Sequence, residues 1–242
     1  MTERAAIVTG ASSGIGLAVA RMLAEEGHAV TLVARRREKL DAAYEALRGD
    51  GQEVQRVAAD VGNEDDVIRA VAAHREAYGR LDLLMNNAGV GIGAPIGELS
   101  TKRMDIQLDT NLRSIPLFYR ECAAMLTAAG AEHGNALVVN TASIAGKHGQ
   151  GWLSIYSATK FGVIGFTEAM NAELGSRGIK STALCPGWVD TAMTDFIKQQ
   201  VAPEAMIQTS DIVASVRMLL SLSPGCVVPE IVFQSPAGPA LF

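Results

Sequence analysis

Short apolar runs alternate with helical stretches along this chain. Ala5-Ala6-Ile7-Val8-Thr9 is a run of the kind that fills a buried strand, and Ile15, Val19, Met22 and Leu23 then recur on one face of a helix. Residues 29–34 predict a second strand, ahead of a helix marked by Leu40, Tyr44 and Leu47. Residues 54–59 predict a third, with Val67 and Val71 on the helix that follows. Further strands are expected at 81–85, 136–140, 181–184 and 231–233, with long helical stretches near 101–129 and 154–176. Such alternation predicts an α/β fold, because each crossover helix must pack back onto a parallel sheet covered on both faces. Pro229 has no N–H for a mid-sheet ladder, so the last strand starts after it or lies at an edge. With no repeat, low-complexity tract or linker, residues 1–242 read as one domain.

Composition adds exclusions. Of 242 residues, 48% are hydrophobic and 19% charged, enough for a large core and against wholesale disorder. The net charge of −5, with no Lys/Arg-rich block, carries no electrostatic footprint for nucleic acid or an anionic membrane. Three widely spaced cysteines, Cys122, Cys185 and Cys226, support neither a disulfide framework nor a zinc site, and read as small buried hydrophobes in a reducing compartment. No apolar run approaches the roughly 18–20 residues that span a bilayer, and no secretory signal is evident, so a soluble cytoplasmic protein is expected.

Chemistry enters at the end of the first strand. Thr9-Gly10-Ala11-Ser12-Ser13-Gly14-Ile15-Gly16 opens the first amphipathic helix. Glycines there let the backbone turn sharply and approach a ligand, and the free N–H groups of the helix start favour a pyrophosphate. Beyond the second strand, where an acidic residue would hold the ribose hydroxyl of NAD, the chain reads Val33-Ala34-Arg35-Arg36-Arg37. A guanidinium suits a phosphate, so Arg35, helped by Arg36, is the candidate for the 2′-phosphate of NADP; the alternative is a solvated basic start to the second helix. Asn86-Asn87-Ala88-Gly89 ends the fourth strand, Ser143 follows the fifth, and Tyr156 and Lys160 share a helix face at i, i+4.

The ordered set resembles the short-chain dehydrogenase/reductase superfamily over nearly the whole chain. It comprises the glycine loop, Asn86-Asn87-Ala88-Gly89, Asn111, Asn140-x-x-Ser143, Tyr156-x-x-x-Lys160 and Pro186-Gly187. The resemblance implies a Rossmann-like, doubly wound sheet of about seven strands and a catalytic tetrad of Asn111, Ser143, Tyr156 and Lys160. It further implies that Gly10, Ser12, Ser13, Gly14, Ile15 and Gly16 line the pyrophosphate, that Asp60 and Val61 meet the adenine, and that Asn87, Ala88 and Gly89 lie at the adenosine ribose. Pro186, Gly187, Val189 and Thr191 would flank the nicotinamide. Basic residues after the second strand go with NADP(H) in this family. Tyr156 would exchange a proton with the carbonyl oxygen and Ser143 would hydrogen-bond it. The Lys160 ammonium would favour the phenolate, whose free pKa near 10 is too high for neutral pH. Lys160 would also hold the nicotinamide ribose, and Asn111 would anchor a water that relays protons to Lys160.

The expected activity is NADP(H)-dependent interconversion of a ketone or aldehyde and its alcohol. The alternatives are reduction of a 3-oxoacyl thioester brought by a carrier protein, for which Arg113 and Arg120 are too few to argue a docking patch, and a nucleotide-binding regulatory module without turnover. Pro116, inside the helical stretch after Asn111, either kinks the helix to present Asn111 or breaks it. Residues 188–210, with Trp188, Met193, Phe196 and Ile197, are expected to form a lid over the substrate or to pack as a short helix. His148 reads as a loop residue with possible substrate contact, and no histidine has metal-ligand spacing. A homodimer or homotetramer follows from the resemblance, with Phe161, Ile164, Gly165 and Ala169 as the candidate helix surface; the alternative is that this surface packs on the chain's own sheet. The tail after Phe233 has no assigned role.

Overall fold

A computed structural model describes residues 4–48 and 52–236 of the chain. Seven strands form one parallel sheet: β1 (Ala5–Thr9), β2 (Ala29–Ala34), β3 (Val54–Ala58), β4 (Leu83–Asn86), β5 (Ala136–Thr141), β6 (Ile179–Pro186) and β7 (Glu230–Phe233). Their order across the sheet is β3-β2-β1-β4-β5-β6-β7. The inner strands are apolar runs because both their faces are buried. Along β1, Ile7 packs into one core while Ala6 and Val8 pack into the other. Val67 and Val71 of α3 (Glu64–Tyr78), Phe118 of α5 (Ser114–His133) and Val163 of α6 (Ser154–Leu174) fill the first core. Val19 and Leu23 of α1 (Gly14–Glu25), Leu40 of α2 (Arg37–Arg48) and Val216 of α7 (Thr209–Ser221) fill the second.

Chain order runs outward from β1 to β3 on one side and from β4 to β7 on the other. The crevice above the carboxyl ends of β1 and β4 is therefore the topological switch point, where such sheets bind ligands. β7 begins one residue after Pro229 and lies at an edge, as the proline required. β6 is longer than its apolar run, since Lys180 and Pro186 extend it at either end.

The helical stretch after residue 101 departs from a single helix. α4 (Thr101–Leu108) runs into a π-turn at Asp109–Arg113, in which the Ser114 N–H reaches back to the Asp109 carbonyl, and α5 continues from Ser114. Pro116 follows at once and cannot give the N–H that an α-helix would bring to the Leu112 carbonyl. The helix is widened at Asn111, not ended. Cys122 and Cys185 are buried as expected; Cys226 is only partly so.

Candidate active site

Thr9 closes β1 by tying it to β4. Its Oγ1 accepts from the Asn87 and Ala88 amides at 2.9 and 3.0 Å and donates to the Met85 carbonyl at 3.3 Å. The chain then turns through Gly10 (φ 65°) and Gly14 (φ 54°) into α1. Gly16 lies where a β-carbon would come within 2.5 Å of the Gly10 carbonyl and 2.6 Å of Asn87 Nδ2, so the loop closes only with glycine there. Ser13 precedes α1 with an extended backbone, and its side chain caps no N–H of the helix. This glycine cradle against an uncapped helix N-terminus fits a pyrophosphate. Thr191 comes from the far side of the crevice, with Cγ2 within 3.1 Å of where a Gly14 β-carbon would stand. The stretch after β6 thus meets the loop after β1.

At the adenosine end, Arg35 is exposed at the end of β2, 3.7 Å from Asp60. Asp60 also accepts from the Gly62 amide at 3.1 Å. Arg36 is exposed beside Arg35, with no ion pair among the described residues. Val61 is buried in the core, which leaves its backbone for any ligand contact. The Asn87 side chain is committed to the protein, donating to the Thr9 carbonyl at 3.2 Å and accepting from Thr141 Oγ1 at 3.2 Å. Ile15 packs against the core beneath α1. Val189 is buried, and its carbonyl accepts from Thr194 Oγ1 at 2.6 Å.

The four tetrad positions meet on the β4–β6 side of the crevice. Ser143 starts a 3₁₀ turn (Ile144–Gly146); its Oγ accepts from the Ala145 amide at 3.1 Å and lies 3.5 Å from the Pro186 carbonyl, and its side chain acts on the Tyr156 phenol to favour the phenolate. Lys160, one turn after Tyr156, is 3% exposed; its Nζ donates to the Thr141 carbonyl at 2.6 Å and sits 5.5 Å from the Tyr156 ring centre. A β-carbon on Gly89 would stand 3.4 Å from Asn111 Oδ1 and 3.7 Å from Lys160 Nζ. The Asn111 amide is engaged on both ends: it accepts from the Val90 N–H and donates to the Val90 carbonyl, both at 2.8 Å, and donates to Thr159 Oγ1 at 3.4 Å. Its side chain therefore pins the Gly89–Gly93 loop, and a relay water would have to be held by the main chain of the π-turn.

Burial has opposite effects on the two titrating partners. It raises the Tyr156 phenol above its ordinary value, only partly offset by the Ser143 hydrogen bond. It lowers Lys160 to about 8. The expected lowering of Tyr156 by Lys160 is thus not present in the protein alone: taking the ring out of water dominates, opposed by the Ser143 side chain.

Beside Tyr156 opens a cavity of about 280 Å³. Ser143, Gln150, Trp152, Trp188, Met193 and Phe196 contribute to its walls, and so do Gln234 and Ser235. The start of the tail is therefore part of the site, fixed by Ser235 Oγ to the Ala205 carbonyl at 2.9 Å. Trp152 and Gln150 escaped sequence reasoning because they belong to no motif. His148 is exposed on its loop and does not line the cavity. No cluster of His, Cys, Asp or Glu among the described residues could hold a metal.

Comparison with known proteins agrees with this geometry. The family model for short chain dehydrogenase matches residues 4–202. A Streptomyces virginiae protein named as a ketoacyl reductase of the monensin polyketide synthase is 44% identical over 204 residues, 83% of this chain and 76% of its own. Among solved structures, a variant of actinorhodin polyketide ketoreductase with NADPH superposes with a TM-score of 0.85 at 34% identity over 95% of both chains. An alcohol dehydrogenase from Thermococcus sibiricus with 5-hydroxy-NADP gives 0.88 at 26% identity over 99% of both. The fold, the glycine cradle and the matched family model together establish that this chain belongs to the short-chain dehydrogenase/reductase family.

Proposed function

We propose that this protein is an NADP(H)-dependent oxidoreductase that interconverts a ketone or aldehyde and its alcohol. One observation carries the reading: Tyr156 and Ser143 line the same cavity, with a buried lysine 5.5 Å from the phenol ring and an uncapped helix N-terminus nearby. Gly10, Ser12, Gly14 and Gly16 would hold the pyrophosphate, with Arg35 and Arg36 at the 2′-phosphate and Pro186, Gly187 and Thr191 at the nicotinamide. When bound, the nicotinamide cofactor supplies the hydride. Tyr156 donates its hydroxyl proton to the substrate carbonyl oxygen, and Ser143 donates a hydrogen bond to the same oxygen and orients it. The Lys160 ammonium stabilises the phenolate left behind and, with its pKa brought to about 8, stands ready to return a proton to it. Asn111 holds the loop over the site through Val90.

Relatives named as ketoacyl reductases favour a second reading, reduction of a 3-oxoacyl thioester. Against a charged docking patch, Arg113 and Arg120 are both paired to Glu64, at 3.7 and 2.6 Å. Residues 188–210 act as a lid in this reading. Their ends are stapled where Ile207 donates to the Trp188 carbonyl at 2.9 Å and Asp190 donates to the Ile207 carbonyl at 2.8 Å, so the intervening turns move as a unit. The protein works in the cytoplasm, where its three free cysteines stay reduced, as a homodimer or homotetramer on a small-molecule carbonyl or alcohol, without nucleic-acid or membrane partners. Among the described residues no helix is long and apolar enough to cross a membrane.

The test is NADPH oxidation over a panel of ketones, aldehydes, diketones and free and carrier-bound 3-oxoacyl thioesters. Tyr156→Phe is expected to lower turnover by about 10²–10⁴-fold while NADPH still binds. Turnover that survives the substitution overturns the mechanism.

A further inference from the structure

Among the described residues, Trp152 is the one non-glycine with a left-handed backbone, at φ 66°. A bulky aromatic residue disfavours that conformation. The residue is also 55% exposed, so burial does not account for it. Two contacts hold it in place. The Ala94 amide donates to the Trp152 carbonyl at 2.8 Å. The six-membered ring of the indole lies so close to Gly93 that a β-carbon there could not coexist with it. Both residues line the same cavity as Ser143 and Tyr156.

We propose that Trp152, seated on Gly93, is a specificity-determining residue that reads the apolar body of the substrate, and that the preferred ketones carry a compact flat ring beside the carbonyl. This rests on the carbonyl-reductase reading above. Strain in a partly exposed aromatic residue at a reaction cavity is what a ligand-facing wall requires and packing does not. The same cavity holds Trp188 and Phe196, an edge-to-face pair with ring centres 5.6 Å apart, and the exposed Met193. Aromatic faces favour stacking on planar groups, and about 280 Å³ is small for a ligand pocket, which suits a ring over a long chain. Gln150 and Gln234 supply polar contacts for the ring's edge.

The test compares kcat/KM for 2-tetralone and butan-2-one in the full chain with NADPH. Trp152→Ala is expected to lower the tetralone-to-butanone ratio tenfold or more, chiefly through the KM for tetralone, and Trp152→Phe to retain most of it. Gly93→Ala should lower the ratio alone but add nothing to Trp152→Ala, because the indole its β-carbon would displace is already gone. Trp152→Gly, which relieves the left-handed backbone, should lower the ratio with Tm unchanged or raised. A purely structural role predicts the reverse, a lower Tm with the ratio intact, and that result overturns the inference. The chain has only two tryptophans, so Trp188→Phe leaves Trp152 as its sole indole fluorophore. Quenching by 2-tetralone with NADP⁺ present reads the contact without turnover. A protein that reduces neither ketone yet shows quenching loses the proposed function and keeps the contact. One that reduces both, with a ratio moved less than twofold and no quenching, loses this inference alone. Absence of both turnover and quenching overturns both.

Discussion

Arg35 carries most of the cofactor argument on one exposed guanidinium, whose charged neighbour on the protein is Asp60 at 3.7 Å. At that exposure the pair itself holds the arginine weakly, leaving it free to turn toward a phosphate. Charge-assisted hydrogen bonds of this kind contribute about 1.5–3 kcal/mol. Arg35→Ala should therefore reduce kcat/KM for NADPH by about 10–100-fold while NADH stays within about twofold, checked by initial rates with both cofactors. An equal loss for both would place the 2′-phosphate elsewhere. At Tyr156 and Lys160 the sequence supplied the partners and the spacing. The raised phenol could not be read there, because it depends on how many apolar groups the rest of the fold packs around the ring.

Two elements carry consequences that periodicity does not display. The π-turn at Asp109–Arg113 inserts one residue into a helical thread, and Asn111 lies inside it. Pro116→Ala restores an N–H that can bond the Leu112 carbonyl and draw the turn toward regular helix. The expected outcome is a several-fold fall in kcat with NADPH affinity retained. If thermal unfolding rises and kcat is unchanged, Pro116 has no role in presenting Asn111. The second element is α3, where His74 is fully buried. Nε2 donates to the Arg80 carbonyl at 2.8 Å, and with the ring neutral at pH 7 Nδ1 accepts from the Thr31 hydroxyl at 2.6 Å. Desolvation lowers its pKa from 6.5 to about 4. Between those values the unfolded chain binds a proton that the folded chain refuses, so stability falls as pH drops from 6.5 to 4 and this contribution levels off below. The loss amounts to about 3 kcal/mol. Denaturant unfolding at pH 7 and pH 4 should show a smaller acid loss in His74→Gln than in the parent chain; equal losses would contradict the assignment.

On the molecular scale, α6 buries Val163, Ile164 and Thr167 against the sheet and leaves Phe161, Gly165 and Ala169 exposed on its other side. Ile164 thus leaves the surface expected for it and joins the core, because it falls on the sheet-facing side of the helix. The exposed trio continues a face that includes a glycine with open space at its β-position, which suits close packing of a second copy. If this surface forms the proposed subunit contact, Phe161→Glu converts the protein to monomer in light scattering after size exclusion and lowers Tm. A parent chain that is already monomeric would remove this surface from consideration. The same helix carries Tyr156 and Lys160 inward, so the proposed assembly surface and the site would share one scaffold.

The sequence by itself determined the parallel sheet, the glycine loop and the shared helix face of Tyr156 and Lys160, while the tetrad as a set came from the family resemblance. Each rests on local signals: apolar runs of strand length, turn glycines ahead of an amphipathic face, and side chains one helical turn apart. It also carried the basic pair after β2, since charge type is legible at a single position. Only the tertiary structure decided that the Asn111 amide is spent on Val90, that the tail reaches the cavity through Gln234 and Ser235, and that Trp152 sits in a left-handed backbone against Gly93. These contacts join segments 21 to more than 80 residues apart or turn on one dihedral angle. A hydrophobic pattern reports the face on which a residue lies, and is silent on which distant loop will fold over it.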